Sequence, residues 1–137
     1  KYLECVDIWK YRQALARFRI SNHKLEIEKG RHEGITMENR ICKFCEKLGT
    51  TVIEDEFHFL LHCPLYTQVH ERYIDKAYIN MPTYDSFVSI MSSENAETIV
   101  QLANYIFSGK QSKQSCIVNI IKSIITVHTS LCCKMFV

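Results

Sequence analysis

The chain has 137 residues, 47% apolar and 23% charged, with only 4 Gly and 2 Pro, a balance that fits one small folded domain and excludes disordered, collagen-like and large multidomain chains. Lys and Arg number 17 against 15 Asp and Glu, a net charge of +2, so affinity for nucleic acid would have to come from a local patch. Seven cysteines, an odd count, follow an N-terminus without a basic-then-apolar leader, which argues against a secreted disulfide framework and for a reducing compartment, nuclear or cytoplasmic. An opening on Lys1 is what a piece of a longer protein would show.

Tyr11, Ala14, Leu15 and Phe18 recur at helical spacing and predict a helix over roughly Asp7–Asn22, with Arg12 and Arg19 on one flank of the stripe and Arg17 on the other. Gly30 and Gly34 punctuate a polar connection, and Ile35–Asn39 reads as irregular. After Cys42 and Cys45, Leu48-Gly49-Thr50 signals a turn, and the β-branched Thr51, Val52 and Ile53 suggest a short strand. Acidic residues Glu54, Asp55 and Glu56 suit the start of a short helix from about Asp55 to His62. Pro64 would open a second helix to about Tyr78, burying Leu65, Val69 and Tyr73. Beyond Pro82, Phe87, Ile90 and Met91 fit one or two helical turns. Ser92-Ser93 offers an N-cap for a helix burying Ile99, Leu102, Ala103 and Ile106, which Ser108 and Gly109 would stop. The Ile-rich stretch Cys116–Val137 reads as a packed terminal helix or strand, since polar residues break it short of the apolar run of about 20 that a spanning helix needs. The expectation is a mainly α domain over residues 1–109 and an apolar tail over 110–137.

The chemistry concentrates in Cys42, Cys45, His58, His62 and Cys63. Soft thiolates and imidazole at these spacings can close a tetrahedron around Zn²⁺, two from a tight turn and two from a helix. Cys42, Cys45 and His58 are common to both possible sets. The fourth ligand is His62, which shares a helix face with His58, or Cys63, freed to turn inward where Pro64 ends the helix. A full set of four protein ligands predicts a structural zinc, bound by a Cys turn, short strand and helix. The other thiols, Cys5, Cys116, Cys132 and Cys133, read as buried or reduced.

The runs Leu15–Arg19, Asn22–Arg31, Arg40–Cys45 and Ile53–Tyr66 together resemble the C-terminal zinc-binding region of animal non-LTR (LINE-like) retrotransposon reverse transcriptases. The likeness extends over about Tyr2 to Phe107 and is most specific between Arg40 and Tyr66. It implies the ligand set Cys42, Cys45, His58 and Cys63, a CCHC order. It further implies an accessory module downstream of a polymerase, helping to hold RNA or DNA, with the parent reverse transcriptase as its neighbour. No polymerase carboxylate motif occurs here, and the tail after about Phe107 does not resemble the family.

Between Lys10 and Lys47 ten Lys and Arg face five Glu, and Arg12, Arg19, Arg31, Arg40, Lys43 and Lys47 are the candidate contacts for weak, sequence-tolerant nucleic-acid binding. Two alternatives compete with this reading. A nuclease would use Glu54, Asp55 and Glu56 with His58 around Mg²⁺, but three adjacent acids diverge, and helix-dipole compensation explains them better. A protein-interaction domain would use the apolar tail.

Overall fold

Helices carry the chain almost throughout in the computed structural model, which describes the backbone of residues 2–134 and the side chains of residues 4–123. They are α1 (Tyr2–Cys5), α2 (Trp9–Arg19), α3 (Glu26–His32), α4 (Lys43–Lys47), α5 (Thr67–Tyr73), α6 (Lys76–Asn80), α7 (Tyr84–Ser92) and α8 (Ala96–Lys134). Short 3₁₀ turns sit at Met37–Asn39 and Pro64–Tyr66, and a widened π turn at His58–His62. The architecture is the mainly helical one expected, with the cysteine turn and the π turn clasped together.

The core lies between α2 and α8, with α1 and α5 against the same long helix. Leu15 and Phe18 of α2 meet Leu102, Tyr105 and Ile106 of α8, all essentially without solvent exposure. Phe59 joins them, with ring centroids 5.5 Å from Phe18, 4.7 Å from Tyr66 and 5.3 Å from Tyr105. The Tyr105 hydroxyl donates to the carbonyl of Phe59, so the segment carrying His58 is fixed to α8 by a buried bond as well as by packing.

Several local expectations are corrected. The first helix closes at Arg19, because Ser21 takes φ 53° and lets Asn22 N–H reach Arg17 O at 2.8 Å while Ser21 N–H reaches Phe18 O at 3.1 Å. The stretch around Gly30 is helix α3, not a connection. Its glycine is there for clearance, since a Cβ would lie 2.6 Å from Arg40 Cγ. Gly49, in contrast, does make the expected turn, with φ 85°.

In place of a strand over Thr51–Ile53 there is one antiparallel bridge, Ile41 to Ile53, flanked by Cys42 N–H to Val52 O at 2.8 Å and Glu54 N–H to Arg40 O at 2.9 Å. The helix expected from Pro64 to Tyr78 is divided at Ile74-Asp75, where Asp75 turns its carboxylate onto the N–H of Ala77 at 2.8 Å and caps α6. Tyr66, His70 and Ile74 are the buried residues of this stretch, and Leu65, Val69 and Tyr73 pack only partly against the core. The cap of α8 is Asn95, not Ser92-Ser93, with its Oδ1 accepting from Thr98 N–H at 3.0 Å.

Nor do Ser108 and Gly109 stop α8. Gly109 is an interior helix residue whose missing side chain admits the Phe59 ring, 2.8 Å from where a Cβ would stand. The helix runs on to Lys134, so the boundary expected at 109 falls inside a continuous element. Beyond it Ile117, Val118 and Ile121 are 39%, 38% and 50% exposed. Residues 135–137 and the side chains of Cys132 and Cys133 lie outside what is described, and no described helix is long and apolar enough to cross a membrane.

Candidate metal centre

Cys42 precedes α4 and Cys45 lies within it. The Ile41–Ile53 bridge pins this turn against the returning chain, which carries His58 and Cys63 one π turn later. That wide turn decides between the two neighbouring candidates. At 3.6 residues per turn, positions 58 and 63 would stand about 140° apart on a helix. Here Cys63 N–H bonds to His58 O at 2.8 Å, a five-residue closure that widens the turn and brings Cys63 inward. His62 is left exposed, edge-on to Phe57 at 4.6 Å. The segment starts where it does because Asp55 Oδ1 accepts from His58 N–H at 2.7 Å.

Cys42, Cys45, His58 and Cys63 converge, with all four candidate ligand atoms within 4.8 Å of one another and every residue at most 5% exposed. A tetrahedral ion bound by sulfur at about 2.3 Å and imidazole nitrogen at about 2.0 Å separates two sulfurs by about 3.8 Å and sulfur from nitrogen by about 3.5 Å. The observed separations are 3.8 Å for Cys42–Cys63, 3.9 Å for Cys45–Cys63 and 3.4 Å from Cys45 Sγ to His58 Nε2. A disulfide, near 2.05 Å, is excluded among them. The donor set fits a single metal ion.

Confining three thiols and an imidazole in one buried space couples their protonation. A hydrogen bond from the Cys63 thiol, helped by His58 and by the N–H of Cys45, holds Cys42 far below the ordinary thiol range. The same bond, together with burial and the Cys42 charge, pushes Cys63 up, and burial pushes Cys45 up. A divalent cation bound among them would favour the thiolate form of all three. The N–H of Leu65, just past Pro64, turns toward the Cys63 sulfur and favours its thiolate.

The three acids expected to compensate a helix dipole, or to hold Mg²⁺ in a nuclease, diverge into separate tasks. Glu54 is buried, accepting from Glu26 N–H at 2.7 Å and from Lys113 Nζ at 2.5 Å. Asp55 caps the π turn, and Glu56 pairs with His23 Nε2 at 2.8 Å. Sequence reading missed the Glu54–Lys113 link because it placed Lys113 beyond the end of the domain. The signal was present, as Lys110 and Lys113 continue the helical register past Gly109.

Five of the six candidate nucleic-acid contacts have a partner within the chain. Arg12 Nε donates to Val6 O at 2.8 Å, Arg19 to Met91 O at 3.2 Å, and Arg40 to Ile35 O at 2.9 Å and Ile27 O at 3.0 Å. Arg31 pairs with Glu28 and Lys43 with Glu46, both with well-exposed basic side chains, and Lys47 is exposed at the end of α4. No protein-family model, curated protein or solved structure matches the chain.

Proposed function

We propose that this chain is a zinc-stabilised, non-catalytic nucleic-acid-binding module of the kind that lies downstream of the polymerase in non-LTR retrotransposon reverse transcriptases. The observation that carries the reading is the buried Cys42, Cys45, His58 and Cys63 tetrahedron. Three thiolates and an imidazole suit Zn²⁺, which has no redox chemistry and accepts tetrahedral geometry. Four protein donors leave no open position for substrate or water, which favours a structural role.

The nucleic-acid part rests on the residues from Leu15 to Tyr66 that resemble that family and on the basic surplus between Lys10 and Lys47. Arg31, Lys43 and Lys47 reach solvent, while Arg12 and Arg40 spend some of their five donors on carbonyls and keep others for phosphate. Partners on this reading are RNA or DNA, bound weakly with little sequence preference, and the parent polymerase. On this reading the chain works in a reducing compartment, nuclear or cytoplasmic, and the free thiols among the described residues support it. The test is fluorescence anisotropy with labelled single-stranded RNA and DNA at increasing salt, on zinc-loaded protein. Binding that weakens with salt, and loses about one unit of slope in a Lys43→Gln, Lys47→Gln variant, is expected. Absence of binding at high micromolar protein would overturn it.

A second reading has its own observation. The exposed Ile117, Val118 and Ile121 on α8 suit a protein contact. Concentration-independent monomers and an unchanged melting curve after their replacement by Gln would remove its support.

A further inference from the structure

A cavity of about 520 Å³ opens between the end of α2, the loop into α3 and the middle of α8, within the range of small-molecule sites. Five cations line it, Arg17, Lys24, Lys29, Lys110 and Lys113, against one carboxylate, Glu26. The chain as a whole carries only +2, so this cavity holds a positive charge that the rest of the molecule offsets.

Two of the cations are occupied. Lys113 is held by Glu54 and the carbonyl of Lys24, and Lys29 stands 3.7 Å from Glu26. Arg17, Lys24 and Lys110 have no ion pair among the described residues. Burial, Arg17 and Lys24 together depress the ammonium of Lys110, so the three repel one another across the opening. Behind them the wall is mainly apolar. Phe18, Phe59 and Ile106 close its back with at most 2% exposure, and the half-exposed Ile117 forms its apolar rim.

Three converging unpaired cations call for an anion carrying more than one charge on one group, as phosphate does. The room left over and the apolar lining, which Ile117 continues to the surface, call for an apolar body attached to it, and the module reading makes that body a base. We infer that this cavity binds a nucleotide unit, its phosphate among Arg17, Lys24 and Lys110 and its base on the apolar side of the cavity beside Ile117. The inference deepens the reading of the chain as a nucleic-acid-binding module and rests on it for preferring a nucleotide of a strand to a free one. The site joins Arg17 and Lys24, which belong to the basic surplus between Lys10 and Lys47, to Lys110 of α8, which does not.

The experiment uses the full zinc-loaded chain and four probes: a labelled short oligouridylate, uridine 5′-monophosphate, inorganic phosphate and an oligoglutamate peptide. Arg17→Gln, Lys24→Gln and Lys110→Gln are combined, with Lys110→Gln alone as the variant that disturbs least, and zinc content and melting temperature verify folding. The expected result is oligonucleotide binding that the monophosphate competes away and that inorganic phosphate competes at least about tenfold less well. In the triple variant binding drops at least about tenfold, and the salt slope falls by about one unit, as loss of one phosphate contact requires. Oligonucleotide binding indifferent to the triple variant and to the monophosphate would overturn the cavity assignment and leave the module reading standing. Monophosphate binding lost in the variant, with no strand binding, would uphold the cavity and overturn the module. Oligoglutamate bound as well as the oligonucleotide would overturn the choice of a nucleotide, and no binding of any probe would overturn both.

Discussion

His62 and Cys63 are adjacent, yet one faces solvent and the other is fully buried beside two thiols. The cause is a single backbone bond, Cys63 N–H to His58 O, which widens the turn by one residue. Spacing rules for a regular helix put His62 beside His58, so the residues alone left two ligand sets open, and only the family likeness singled out Cys63. Cys42, Cys45 and His58 were legible because a two-residue gap between cysteines constrains geometry whatever follows. Replacing Cys63 by Ser should therefore weaken metal binding by more than about a hundredfold, beyond the usual effect of groups that only support a ligand. His62→Ala should change it by no more than a few fold. Competition titration against a chromophoric chelator measures both, and the reverse ranking would show that His62 is the ligand.

Elements were legible where apolar periodicity was strong, as in α2 and in the buried face of α8 with Ile99, Leu102, Ala103 and Ile106. They were lost where glycine was taken only as punctuation. Gly30 and Gly109 have helical backbones, and each is a gap into which a distant side chain fits, Arg40 in one case and Phe59 in the other. No local signal distinguishes such a glycine from a breaker, because its reason lies on another element. Gly109→Ala separates the two roles. Helix propensity alone would stabilise α8 by up to about 1 kcal/mol, whereas forcing a methyl to within 2.8 Å of Phe59 should cost about 1–3 kcal/mol in a packed core. Net destabilisation in denaturant titration is expected, and a more stable variant would contradict the packing described.

Across the whole molecule, two clasps join segments remote in sequence. One is the Cys42, Cys45, His58, Cys63 centre. The other is the Glu54–Lys113 pair, which ties α8 to the chain entering the π turn. Burial raises the Glu54 carboxyl above its ordinary value, and Lys113 opposes that rise. A raised carboxyl favours the fold most fully below the unfolded value, and that advantage is lost as pH climbs through the folded one. Lys113→Met raises it further. Its deficit against wild type should be small in acid and grow toward neutrality to about 2–3 kcal/mol, somewhat below a fully buried pair because Lys113 retains some exposure. A deficit independent of pH would show that Lys113 acts by packing alone. Truncation after Gly109 removes the same clasp, so the 1–109 unit should be less stable than the full chain.

The proposed zinc would clasp two segments at the core of a small domain, and its binding free energy would then be folding free energy. Elemental analysis of the full chain purified without chelator, paired with far-UV circular dichroism during chelation, tests it most directly. One zinc per chain, with helical signal lost as zinc is withdrawn and regained on its return, is the predicted result. Protein that contains no stoichiometric metal and keeps its spectrum in chelator would contradict it.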